Sequence, residues 1–143
     1  MNELERRTRE RIKTNAFMLH NYMEIETVEP DRAVFRLDIR PESRNPYGMV
    51  HGGAIYTLAD NATGAAAHTD GRHYVTQTSS FHFLRNQPEG VIRAAAHVRH
   101  RGRSTCLVTV DVTGTGGVLL ATGEFTFFCV DKDLMDEKVR QDG

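Results

Sequence analysis

At 143 residues, with 39% hydrophobic and 26% charged side chains, the chain has the size and composition of one globular domain. Its formal charge of −1 creates no global field for nucleic acid, and two cysteines are too few for a disulfide scaffold. No apolar run nears the roughly 20 residues of a membrane span, and the charged start MNELERRTRER lacks a secretory apolar stretch, so a cytoplasmic protein is expected.

In chain order, residues 2–20 read as one helix, with Leu4, Ile12, Ala16 and Leu19 forming a docking stripe. Extended segments follow at Tyr22–Glu29 and Arg32–Arg40, joined by the turn signal Pro30-Asp31. In the second, Ala33, Phe35, Leu37 and Ile39 alternate with Arg32, Arg36, Asp38 and Arg40, the pattern of a half-buried antiparallel strand. Residues 41–52 carry two Pro and two Gly and read as a loop. The Ala-rich run GAIYTLADNATGAAAHT is the second predicted helix. At about 100° per residue it gathers Ala54, Ile55, Leu58, Ala59, Ala62, Ala65 and Ala66 on one side. Gly64 costs that helix about 1 kcal/mol of propensity, for which close backbone packing is the expected compensation.

Four strands complete the chain: His73–Leu84, Val91–His100, Arg103–Thr113 and Val118–Val130, punctuated by Gly- and Pro-containing turns. Residues 131–143 are charged and expected to fray. This order predicts a single α+β domain over residues 1–143, an antiparallel sheet wrapped around the Ala-rich helix.

Several chemistries are disfavoured. Cys106 and Cys129 lie in apolar strand-like runs and read as small buried hydrophobes. His97 and His100 are three apart in a strand and therefore expected on opposite faces, and no HExxH or Cys/His cluster is present, so no metal is expected. Ser79-Ser80 lacks a G-x-S-x-G elbow.

Asp60 stands out. It is the only Asp, Glu, Lys or Arg between Gly52 and Thr69, and it lies off the apolar stripe, in line with Tyr56, Thr63 and Ala67. It must face water, a cleft or another subunit, and a helix with one charge and Ala nearly all round favours the subunit seam. Asn45, His51, Gly52 and Gly53 gather where this helix begins. The first helical N–H groups lack internal partners and favour negative charge. Glycine lets a ligand approach them, as in an oxyanion hole.

The run Asn45-Pro-Tyr-Gly-Met-Val-His-Gly-Gly-Ala-Ile-Tyr-Thr-Leu-Ala-Asp60 resembles the signature of hotdog-fold acyl-CoA thioesterases of the phenylacetic-acid-degradation (PaaI-like) type. The likeness continues through VTQTSSFHFLR and AHVRHRGRST to ATGEFTFF, covering roughly residues 40–128. The resemblance implies a hotdog fold and the hydrolysis of a small aryl or medium-chain acyl-CoA. Asp60 would activate water or attack the thioester carbonyl directly, and the Gly52 N–H would bind the carbonyl oxygen. His51 and Asn45 would orient the thioester and the water, and Thr76 would help hold the water. It also implies a homodimer, often paired again into a tetramer, whose seam brings Asp60 of one chain to Asn45, His51 and Gly52 of the other. No cofactor is needed beyond the CoA of the substrate. The resemblance puts CoA near the hairpin Val98-Arg-His-Arg-Gly-Arg103, so Arg99, Arg101 and Arg103, turned by Gly102, are expected at the nucleotide phosphates, with Arg85 a weaker candidate. Phe81, Phe83, Phe125, Phe127 and Phe128 read as core or subunit packing rather than an acyl pocket, with room for one or two of them to line it. Two other readings are a non-catalytic acyl-CoA-binding hotdog module and a hotdog hydratase or dehydratase.

Overall fold

The computed structural model describes residues 1–131, so the expected frayed tail, Asp131 apart, lies outside the described residues. The predicted helix over 2–20 is two helices, α1 (Glu3–Ile12) and α2 (Ala16–His20). The break has a local cause. The Asn15 side chain accepts from the Met18 N–H and starts a new helix, while the Thr14 hydroxyl donates back to the Arg11 carbonyl. Thr8 and Met18 are buried here, whereas Leu19 of the expected stripe is 46% exposed.

Six strands follow the predicted order with ends moved by one or two residues: β1 (Met23–Glu29), β2 (Arg32–Asp38), β3 (Tyr74–Phe83), β4 (Val91–Arg101), β5 (Thr105–Thr113) and β6 (Leu119–Cys129). They form one antiparallel sheet in the order β1-β2-β4-β5-β6-β3. The long helix α3 (Gly52–Ala67) packs across all six strands. This is the α+β hotdog architecture.

Of the predicted α3 stripe, Ile55, Leu58, Ala59, Ala62, Ala65 and Ala66 are buried and Ala54 is partly so. They meet Phe35, Leu37, Ile92, Val108, Val110 and Phe125 from the sheet in one core. Thr63 and Ala67, predicted to share the face of Asp60, are also fully buried. The covered face of α3 is thus wider than its apolar stripe, because the Thr63 hydroxyl satisfies itself on the Ala59 and Asp60 carbonyls. Gly64 does not pack as expected. A Cβ there would lie 3.7 Å from the Phe127 ring, an ordinary contact. Gly123 is the sterically required glycine, since a Cβ would fall 2.3 Å from the Ser80 carbonyl oxygen across the β6–β3 pair.

Two β-bulges position the residues that follow. In β4 the register slips between Val98 and His100. In β3 it slips between Thr76 and Thr78. A bulge adds one residue to one strand and changes the face that the next side chains take. β3 is a sheet edge, with Val75 and Phe83 each more than half exposed.

Candidate active site

The entry to α3 is organised by His51 and Asn45. His51 is the N-cap, and its Nδ1 accepts from the Gly53 N–H at 2.8 Å. A Cβ on Gly53 would come within 2.9 Å of that nitrogen, so glycine is what lets the ring fold back. With Nδ1 accepting, the neutral ring carries its proton on Nε2, an outward-facing donor. The His51 carbonyl takes the N–H groups of Ala54 and Ile55. Among the described residues no acceptor meets the Gly52 N–H, which leaves it as the one open donor of the first turn. The Asn45 Oδ1 accepts from the Tyr47 and Met49 N–H groups and holds the 45–49 loop, leaving its amide NH2 as the outward group.

Nine residues along from this entry, Asp60 meets Thr76. The Thr76 hydroxyl donates to Asp60 Oδ1 at 2.7 Å. Burial pushes the Asp60 carboxyl above its usual range, and the Thr76 hydrogen bond pulls part of the way back. The register explains why Thr76 faces inward: it pairs with buried Phe127 just before the bulge at Gln77. After the bulge Ser79, Phe81 and Phe83 return to the inner face. The inner side of β3 is therefore a ladder on α3, with Tyr56 sharing a 2.6 Å hydrogen bond with Ser79 and stacking edge-on to Phe81. The Gln77 bulge was not singled out in the sequence, where Tyr56 stood only in line with Asp60 and Ser79 was weighed only as a nucleophile. The ladder explains Tyr56, four residues before Asp60 on the same helical face. Phe81, Phe83 and Phe125 pack together, and Phe83 lies 3.6 Å from where a Gly52 Cβ would be.

Asp60 opens into a cleft of about 380 Å³ between α3, β3 and the α1–α2 segment, walled in part by Phe35, Gly64, Ala65 and Phe127. His51 and Gly53 line a different cavity of about 340 Å³, together with Phe17, Ser43 and Arg44. Along α3, Gly52 and Asp60 are separated by about 12 Å of helix rise. One chain therefore does not bring the two groups to one carbonyl.

The basic hairpin departs from expectation. Because of the β4 bulge, His97 and His100 pair with Thr109 and Leu107 and so share the outer face, where strict alternation put them on opposite faces. The same bulge turns Arg101 inward, opposite buried Cys106. Its guanidinium donates to the Ala67 carbonyl at 2.8 Å and to Asp31 Oδ1 at 2.8 Å, and lies 2.8 Å from Asp70 Oδ2. A cation at the C-terminus of α3 satisfies orphan carbonyls and opposes the helix dipole. Arg101 is thus engaged as a helix cap. Gly102 forms the tight turn, its N–H donating to the Thr105 carbonyl. Arg72, which the sequence did not single out, clamps this turn through the Gly102 and Arg103 carbonyls. Arg99 is exposed at the bulge, and Arg103 is exposed beside it. Arg85 is exposed beyond β3, at the opposite end of that strand from Tyr74. Among the described residues no three His, Cys, Asp or Glu side chains cluster as a metal site, and no helix is long and apolar enough to cross a membrane.

Comparison with known proteins bears on this arrangement. The profile of the thioesterase superfamily matches residues 47–121. A 1,4-dihydroxy-2-naphthoyl-CoA hydrolase of Listeria monocytogenes is 30% identical over 108 residues, which span 73% of this chain and 87% of the relative. A hypothetical thioesterase of Streptococcus pneumoniae, solved with coenzyme A, is 29% identical with a TM-score of 0.77 over 83% of this chain and 96% of that one. Two further structures of a hypothetical thioesterase from that organism carry alanine in place of an aspartate and of a threonine sixteen positions apart. Asp60 and Thr76 have the same separation. The Escherichia coli PaaI protein superposes with a TM-score of 0.84 over 89% of this chain and 93% of its own, at 20% identity, a likeness of fold.

Proposed function

This chain belongs to the thioesterase superfamily of thioester hydrolases, and we propose that it cleaves acyl-CoA thioesters with Asp60 as the reacting carboxylate, at a site completed by a second copy of the chain. The observation that carries this reading is the Asp60–Thr76 pair, a carboxylate with a raised pKa opening into a cleft. The equal spacing of the aspartate and threonine replaced in the pneumococcal structures supports it.

In this mechanism Asp60 takes a proton from water as the water oxygen bonds to the thioester carbonyl carbon. Thr76 holds the water or the carboxylate in line. The developing oxyanion is met by the open N–H of the partner's Gly52, with the partner's His51 Nε2–H and the partner's Asn45 amide orienting the carbonyl and the water. Collapse breaks the C–S bond, and the thiolate of CoA leaves with the proton returned to it. A direct attack by Asp60, through an anhydride that water then opens, uses the same groups. Donors and base must both lie about 3 Å from the reacting atoms, which the rise along one α3 forbids and an antiparallel second copy allows. The exposed β3 edge is the natural joint, since unpaired strand edges pair with their like. Pairing of two such dimers and a cytoplasmic setting belong to the same proposal.

Arg99, Arg103 and Arg85 are the proposed contacts of the CoA phosphates, and Gly53 keeps the helix entry open to the thioester. The acyl group is a small aryl or medium-chain one. A thiol-release assay across aryl-acetyl-, benzoyl- and fatty acyl-CoA tests the reading. Turnover of at least one class above the uncatalysed rate is expected. Tight binding of CoA thioesters with no thiol released would replace the enzyme by a binding module.

A further inference from the structure

Two midpoints of the fold meet at Tyr56. On α3, Tyr56 stands midway between Gly52 and Asp60 on one line of the helix, about 6 Å of rise from each. On β3, nine residues pair with β6, and Ser79 is the fifth of them. The hydroxyls of Tyr56 and Ser79 share a 2.6 Å hydrogen bond. The centre of the Gly52–Asp60 span and the centre of the free sheet edge are therefore joined by two side chains. The Tyr56 ring is fixed within its own chain, edge-on to Phe81 at 5.5 Å and tilted on Phe125 at 5.2 Å, and Phe125 is the β6 partner of Ser79. Tyr56 is nonetheless only partly buried, and Asp60 is the sole Asp, Glu, Lys or Arg on α3, so little charge opposes the approach of a second helix.

Two-fold symmetry gives this coincidence a consequence. When two copies of one helix run antiparallel about a dyad, facing residue numbers have a constant sum, so the residue midway between a contacting pair meets its own copy at the axis. A site that brings Asp60 to the partner's Gly52 therefore brings Tyr56 to the partner's Tyr56. A strand that pairs edge to edge with its own copy likewise places its middle residue at the axis. Helix and strand require the same axis independently, and one hydrogen bond spans the two residues they pick out.

We propose that the two-fold axis of the dimer passes beside Tyr56 and Ser79, and that Tyr56 is a positioning residue that sets the distance from each Asp60 to the Gly52 N–H of the other copy. The proposal rests on the shared-site thioesterase reading and adds to it the register of the joint. Tyr56 acts through α3 rather than on the substrate. Each ring, backed by Phe81 and Phe125 and tied to β3 by Ser79, is half of a spacer between the two helices. Both sites therefore share one spacing, and a change at the axis misplaces base and oxyanion donor in both.

Cysteine cross-linking tests the axis. Tyr56→Cys and Ser79→Cys, treated with a short bis-maleimide, should each run as covalent dimers on denaturing gels. The wild type, whose Cys106 and Cys129 are buried, and Thr27→Cys on β1 at the other sheet edge should run as monomers. Kinetics test the spacer. Tyr56→Ala should lower kcat for CoA thioesters by about 10-fold or more with KM within about twofold, in a protein that still sediments as a dimer, because small misplacements of reacting groups are costly. Tyr56→Phe, which keeps the ring and drops the Ser79 bond, should recover most of that loss. Dissociation of Tyr56→Ala into inactive monomers would support the axis as well, with Tyr56→Phe then carrying the kinetic comparison. A dimeric Tyr56→Ala with the kcat of the wild type would overturn the positioning role. A dimeric, thiol-releasing wild type in which neither Tyr56→Cys nor Ser79→Cys cross-links would put the axis elsewhere and overturn the proposal, while leaving the thioesterase reading in place. A monomeric wild type that releases thiol would overturn the axis and the shared site together.

Discussion

Replacing Asp60 with Asn is expected to lower kcat for CoA-thioester hydrolysis by about 10³-fold or more and to leave the fold intact with a higher thermal midpoint. The two effects share a cause. The substituted amide keeps an oxygen that accepts from Thr76, so the local geometry survives, but it can neither take a proton nor attack. The Asp60 carboxyl is raised by burial, which means the folded state favours its protonated form. Stability is therefore greatest below that pKa and declines as pH rises through it. Above that pKa the wild-type chain carries a carboxylate at a cost, and the amide removes the charge, for a gain of a few degrees that fades in acid. In the wild type kcat/KM should climb with pH through the Asp60 pKa, above the ordinary carboxylate range. Thr76→Ala removes the donor that pulls this pKa down, so the climb should move to higher pH. Thiol-release rates and thermal melts across pH check each point. Unchanged turnover in Asp60→Asn would remove Asp60 from the mechanism.

The second large effect is on the fold. Arg101→Ala should cost about 2–4 kcal/mol of stability, because it uncovers partly buried carbonyls and a carboxylate together. The carbonyls of Ala66 and Ala67 lose their cap, and Asp70, held between Arg101, Arg72 and the Tyr74 hydroxyl, loses one of its cations. Asp31, at its left-handed turn position, loses one of the bonds that tie the β1–β2 turn to the end of α3. Urea unfolding measures the loss. The KM for CoA thioesters relative to short thioesters without the nucleotide should stay near the wild-type ratio in Arg101→Ala and rise in Arg99→Ala. A selective KM effect of Arg101→Ala with unchanged stability would return Arg101 to the phosphates.

Much of the fold is legible in the chain because its signals are periodic. The alternation in Ala33–Ile39 and in Cys106–Val112 marks the buried faces of β2 and β5, and the Ala-rich run marks α3. The isolation of Asp60 on a nearly uncharged helix points to a covered position, and the structure puts it in a cleft against Thr76. What escapes is what periodicity cannot carry. A β-bulge leaves no mark in composition, yet one residue at Arg99 brings His100 to the face of His97 and turns Arg101 from the surface to the helix end. The break at Asn15 is a competition between a side-chain cap and a continuing helix, which a stripe of apolar residues does not register. Gly64 reads as close packing because propensity says only that a glycine costs something, whereas a Cβ there would make only an ordinary contact with the Phe127 ring.

The central claim is a carboxylate and an oxyanion donor supplied by different copies of one chain, and mixing tests it most directly. Asp60→Ala and His51→Ala proteins, each close to inactive alone, are unfolded together, refolded and assayed for thiol release. Random pairing of two-fold dimers makes about half of them mixed, each with one site holding both Asp60 and His51, so activity should recover to about a quarter of wild type. A mixture no more active than its two components would contradict the shared site.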